Sequence, residues 1–184
     1  MSDFVWSEDP SIQLKSNGKS LEYSCFGPSP DQATTILLLH EGLGCVALWR
    51  DFPAKLAKAS GFGVMAYSRA GYGQSDPTDL PRPLDYMTKE AVDSLPQLIA
   101  AAGLQQIILL GHSDGASIAA IYGGSVEDHR VRGLILMAPH FFTEDMGLAS
   151  IAEAKVAYEN TDLSTRMSKY HKNPDNAFYG WNDS

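Results

Sequence analysis

"LLLGHSDGAS", residues 109–118, sets an apolar run, a serine flanked by glycines and a small-residue stretch in ten consecutive positions. A side chain at the tip of a tight strand-to-helix turn is lifted clear of the sheet, on a strained backbone. Glycines two residues before and two after it remove the Cβ atoms that would strike the strand and the helix. The apolar "QQIILL" before and "ASIAAIYGG" after supply the strand and the helix that such a turn joins. Ser113 is therefore the candidate nucleophile. The Asp114 amide, at a helix N-terminus, is suited to receive an oxyanion. The alternative is a Gly-rich turn in which Ser113 merely caps the helix.

Working outward, further short apolar runs alternate with helical patterns. "SIQLKSNGKSLEYSCFG" reads as a hairpin about Asn17-Gly18, a dipeptide that tolerates positive φ. "ATTILLLH" (33–40), "GFGVMAYS" (61–68) and "VRGLILMAP" (131–139) are too uniformly apolar for half-exposed strands and suit burial on both faces. "LWRDFPAKLAKASG" and "LDYMTKEAVDSLPQLIAAAG" have helical spacing and end at Gly61 and Gly103. Strands separated by single helices predict a doubly wound, mostly parallel sheet with right-handed crossovers. From residue 140 the pattern is helical and polar.

Composition bounds the function. A net charge of −8 without a Lys/Arg cluster argues against a nucleic-acid partner. The hydrophobic fraction of 44% is ordinary for a globular domain. Two distant cysteines, Cys25 and Cys45, read as free thiols in a reducing compartment. Neither a signal-like N-terminus nor an apolar run of about 18 residues is present, so no membrane is expected and the expected location is cytoplasmic. No metal cluster or cofactor motif stands out.

A second stretch, "LLLHEGLG", places a histidine and glycines at the end of the first buried strand. The carboxyl ends of parallel strands gather at one edge of the sheet, which brings residues 40–44 beside Ser113. A third, "SRAGYGQSDP", is a Gly-rich turn after the next strand.

Together these motifs resemble the α/β-hydrolase family. "LLLHEGLG" resembles its His-Gly oxyanion loop, with Glu41 where glycine is more usual. "YSRAGYGQS" resembles its D-x-R-G-x-G-x-S turn, with Tyr67 and Ser68 replacing the acidic start. "GHSDGA" resembles its nucleophile elbow. The resemblance implies residues 1–139 as the N-terminal part of the core and 140–184 as a helical cap segment. It also implies Ser113 as nucleophile, with oxyanion amides from Asp114 and from Gly42 or Leu43. His40, Glu41 and His112 flank the site, the two histidines in structural roles. The substrate would be a small acyl compound: an ester, a lactone, a thioester or the C–C bond of a diketone. A serine at the elbow disfavours dehalogenases and epoxide hydrolases, which resemble the family but use aspartate there.

In that family the acid and the base follow the nucleophile, with the histidine near the end. Here the candidates are Asp145, which also reads as a helix start, and His171, read as a surface residue. The expectation is a front half whose acid and histidine come from a C-terminal part, as a separate chain or a lost continuation. Its last strand would then expose an apolar edge for that partner, or for a homodimer. Two rivals remain. One is a non-catalytic split half serving assembly. The other is a dinucleotide-binding oxidoreductase, since Gly42-x-Gly44-x-x-Ala47 approaches that fingerprint and Arg69 could meet a 2′-phosphate.

Overall fold

In a computed structural model, the described residues are 4–142 and 144–184. Six strands form one sheet: β1 (Gln13–Ser16), β2 (Lys19–Phe26), β3 (Thr35–Leu39), β4 (Gly63–Tyr67), β5 (Ile107–His112) and β6 (Val131–Met137). Their order is β1-β2-β4-β3-β5-β6. The hairpin strands β1 and β2 are antiparallel, β2 meets β4 antiparallel, and β4, β3, β5 and β6 run parallel. The mostly parallel, doubly wound sheet expected from the alternating pattern is present.

The apolar runs explain themselves through the two faces of the sheet. Along β3, Leu37 and Leu39 join the core beneath α3 (Leu95–Ala101) and α4 (Asp114–Ser125). The intervening Ile36 and Leu38 join Ala57 of α1 (Phe52–Ser60) on the opposite face. Successive side chains point to opposite faces, so a strand covered on both sides must be apolar at every position. Each such side chain contributes about 1.5–3 kcal/mol by leaving water. At the hairpin, Asn17 and Gly18 take φ of 48° and 72°, the left-handed conformations that the dipeptide favours.

Two helices depart from their expected continuity. Residues 46–49 form a 3₁₀ turn and α1 begins only at Phe52, because Arg50 takes φ 53° and reverses the chain between them. Residues 86–101 divide into α2 (Tyr86–Lys89), a π-helical turn (Glu90–Ser94) and α3, whose first turn carries Pro96. Proline lacks the N–H that an unbroken α-helical ladder would need there.

The strand 131–139 is apolar enough to need cover on both faces, yet as the last strand it is expected to expose an edge, and the structure leaves it uncovered. Strand β6 ends the sheet, and Leu134, Ile135 and Met137 are exposed. Beyond it, α5 (Asp145–Asn160), α6 (Leu163–Met167) and α7 (Pro174–Asn182) pack Tyr158 and Phe178 face to face at 3.9 Å. Tyr72, from the Gly-rich turn, belongs to the same cluster. Among the described residues, no helix is long and apolar enough to cross a membrane. Both cysteines are buried free thiols, and burial pushes Cys25 up to about 12 and Cys45 to about 11.

Candidate active site

Ser113 stands between β5 and α4 with φ 53° and ψ −118°, outside the regions that L-residues ordinarily occupy. The two glycines permit it. A Cβ on Gly111 would overlap the Gly115 backbone, and one on Gly115 would overlap the carbonyls of Leu39 and His40. The Ser113 amide is fixed by the Met137 carbonyl at 2.8 Å. Because Asp114 is the first residue of α4, helix geometry leaves its N–H without an intrahelical acceptor. Its buried carboxylate instead accepts the Tyr86 hydroxyl at 2.7 Å.

The loop 40–44 lies beside the elbow and is held from below by Arg69. That guanidinium donates to the His40 carbonyl at 2.6 Å and to the Glu41 carbonyl at 3.2 Å, while the Arg69 amide donates to His40 Nε2 at 3.1 Å. His40 Nδ1 lies 2.7 Å from the Glu41 carbonyl, which sets the tautomer with the proton on Nδ1. Burial, with the Arg69 charge added, holds the His40 pKa well below the ordinary histidine value. His40 is thus a neutral spacer. Glu41 and His112 form a half-exposed pair at 3.6 Å. Gly42 lies close under the Trp181 indole, where a Cβ would overlap the ring, and close to the Asp114 carboxylate.

The side chain that meets Ser113 is one the sequence reading passed over. His140 Nε2 lies 2.8 Å from Ser113 Oγ. Its backbone is doubly tied to α4: the His140 amide donates to Ser117 Oγ at 2.9 Å, and Ser117 Oγ donates to the His140 carbonyl at 3.0 Å. His140 follows β6, next to β5 in the sheet, so the same edge that gathers residues 40–44 also gathers it. That signal was available in "MAPH". A hydroxyl on a strained elbow, an imidazole on that hydroxyl and free amides alongside can together perform acyl transfer.

The two in-chain candidates for acid and base stand elsewhere. His171 is buried, at 2% exposure, rather than on the surface. Its Nδ1 accepts the Gly73 amide at 3.0 Å, so the ring ties the helical tail to the Gly-rich turn. Burial lowers its pKa, while its contact with the Leu43 carbonyl raises it. Asp145 is an exposed first residue of α5, the helix-start reading, and no histidine bonds to it among the described residues. The dinucleotide reading also fails on geometry. Arg69 is buried and occupied by loop carbonyls, and a 3₁₀ turn follows Gly44 where the fingerprint needs a helix N-terminus.

Comparison with known proteins agrees with this fold. The family described as alpha/beta hydrolase fold matches residues 34–171. The chain belongs to the alpha/beta hydrolase family. It is 28% identical over 173 residues to the human serine hydrolase BPHL, covering 93% of this chain and 55% of that protein. It is 34% identical over 110 residues to the proline iminopeptidase of Lactobacillus delbrueckii subsp. bulgaricus, covering 60% of this chain and 37% of that one. Among solved structures, the haloalkane dehalogenase DatA from Agrobacterium tumefaciens C58 superposes with a TM-score of 0.71. That match has 16% identity and covers 93% of this chain and 66% of the other, a likeness of fold alone. The chain spans about half or less of the length of the curated relatives it matches. These comparisons support a hydrolase in general.

Proposed function

We propose that this alpha/beta hydrolase chain carries a serine nucleophile, Ser113, acting on a small ester-like substrate: a carboxylic ester, a lactone, a thioester or the C–C bond of a diketone. The observation that carries the reading is the positive φ of Ser113 between two glycines whose Cβ atoms the fold has no room for. Strain of this kind costs on the order of 1–3 kcal/mol and persists where the surroundings enforce it. It lifts one hydroxyl out of the sheet edge. The carbonyl oxygen of the substrate would turn toward the Asp114 amide and one from Gly42 or Leu43. One such donor is worth about 10²–10³ in rate. Residues 140–184 would act as a cap, with Trp181 against the oxyanion loop.

The same reading assigns the open side of β6 to further strands of the hydrolase fold, carried by a separate chain or a continuation. Support comes from the exposed Leu134, Ile135 and Met137 and from the relatives' greater length. Pairing between two copies is the alternative occupant. The test of the nucleophile is labelling with a fluorophosphonate probe followed by peptide mapping. Modification is expected at Ser113 and absent in Ser113→Ala. Modification at another serine, with Ser113 untouched, would discard the reading.

A further inference from the structure

We infer that a cavity between the β1–β2 hairpin and the helical segment 90–98 is a binding site for a short neutral polyol, seated on Arg69 and Ser16. The inference is independent of the Ser113 reading. The cavity measures about 160 Å³. That is room for about five waters, or a ligand of about six heavy atoms, at the roughly 30 Å³ that each water occupies in the liquid. Ser16, Leu21, Tyr67 and Arg69 line it from the sheet, and Glu90, Ser94 and Leu98 from the helical side. Asn17, an exposed residue of the lining, marks its mouth.

Two buried polar groups in the wall ask for a partner. Alternation along β1 turns Ser16 to the same face as Leu14, which packs in the core with α3. Ser16 is 6% exposed and Arg69 1% exposed. Among the described residues neither Ser16 Oγ nor Arg69 Nε is hydrogen-bonded. Buried polar groups are almost always paired, so here the partner must come from the cavity. The other two nitrogens of Arg69 are committed to the His40 and Glu41 carbonyls, which leaves Nε for a ligand. On the opposite wall, the helix is interrupted by the π-helical turn that bears Glu90 and Ser94. Such turns are frequent where a helix contributes to a site.

Charge selects the ligand class. Arg69 is faced by Asp114 and Glu90, and Arg82 by Glu90, so two cations stand against two carboxylates. An ionic ligand would add an unmatched charge to this interior, which is costly. Lys19 does not alter the balance, because its ammonium turns outward to the Pro77 carbonyl at 2.9 Å, where water screens it. The walls call for an acceptor at Arg69 Nε, a partner for the Ser16 hydroxyl and a donor toward the Glu90 carboxylate. Hydroxyls on neighbouring carbons supply all three, since each both donates and accepts. Leu21 and Leu98, both buried, offer apolar surface to the carbon chain between them.

The experiment titrates the full chain with glycerol, and separately with acetate, while amide NMR spectra are recorded. Glycerol should shift the amides of Ser16, Tyr67 and Ser94 saturably, with intermolecular NOEs from its protons to the Leu21 and Leu98 methyls. Acetate should not saturate them. Ser16→Val, which keeps the shape and removes the hydroxyl, and Ser94→Leu, which fills the space, should each weaken binding by about tenfold or more. The spectra report whether each variant keeps the fold, and the NOEs locate the ligand without any variant. Shifts that rise linearly and spread over the whole surface would mean that glycerol acts only as a cosolvent and water alone serves the cavity, which overturns the site. Saturation by acetate in place of glycerol overturns the neutral-ligand assignment. Undiminished affinity in both folded variants, or NOEs to other methyls, places the ligand elsewhere and equally overturns it.

Discussion

Gly115 is the position where fold and chemistry are most tightly joined, and alanine there should damage both. A Cβ at Gly115 meets backbone rather than side chain: the Leu39 carbonyl group, with the His40 oxygen at 2.7 Å. Those atoms end β3, which is hydrogen-bonded to β4 on one side and β5 on the other, so they cannot turn aside. The helix α4 must withdraw instead. Overpacking of this kind costs about 1–3 kcal/mol. If Ser113 is the nucleophile, its displacement by on the order of 1 Å from its place beside the loop 40–44 would add about a hundredfold loss in its reactivity. Gly124, in the same helix, supplies the control, because nothing lies within 4 Å of a Cβ there. Alanine at that position should instead stabilise by roughly 0.5–1 kcal/mol through helix propensity. Urea unfolding followed by fluorescence of Trp6, Trp49 and Trp181 reads the first quantity, and probe labelling of Ser113 the second. The reasoning is refuted if Gly115→Ala unfolds at the parent's midpoint, or if the two alanines behave alike.

Two further outcomes are expected. His40 and His171 have folded pKa values below the ordinary histidine value, so their contribution is complete above about pH 6.5 and is lost as pH falls. The unfolding free energy from urea titration should fall as the pH drops below about 6.5, with a slope of up to about 1.4 kcal/mol per unit for each histidine, and a flat profile would contradict the burial argument. Glu90, whose pKa burial raises, opposes this trend as it takes up its proton. At the sheet edge, the exposed apolar side of β6 should make the chain self-associate in sedimentation experiments. A stable monomer with uniformly slow exchange of amides 133–138 would mean that the edge is covered from within.

How much of this was legible in the sequence varies with how local the cause is. The runs 33–40, 61–68 and 105–111 coincide closely with Thr35–Leu39, Gly63–Tyr67 and Ile107–His112 because burial on both faces leaves an unbroken apolar signature. Helix continuity was less legible. The reversal at Arg50 and the π-helical turn at Glu90–Ser94 are backbone choices that 3.6-residue periodicity does not register. His171 was obscured by polar neighbours: "KYHKNPDN" reads as surface, yet its ring is claimed by Gly73, 98 residues earlier. The elbow itself was legible because Gly-x-Ser-x-Gly expresses a steric requirement, whereas His140 follows an ordinary Ala-Pro and expresses only a position along the sheet edge.

That position gives β6 a role beyond ending the sheet. The Met137 carbonyl fixes the Ser113 amide, and three residues later His140 meets the Ser113 hydroxyl. The separation of nucleophile and imidazole is therefore set by the pairing of β5 with β6, which runs from Ile107–Val131 to His112–Met137 with one irregularity at Ile107/Ile108. An edge strand paired on one side holds its end less firmly than a strand paired on both, since fewer hydrogen bonds must open for it to fray. Any strand added to the open side of β6 would steady Met137, and through it the Ser113–His140 contact. A strand docked at the edge would thus bear on the elbow through a single short segment, residues 137–140.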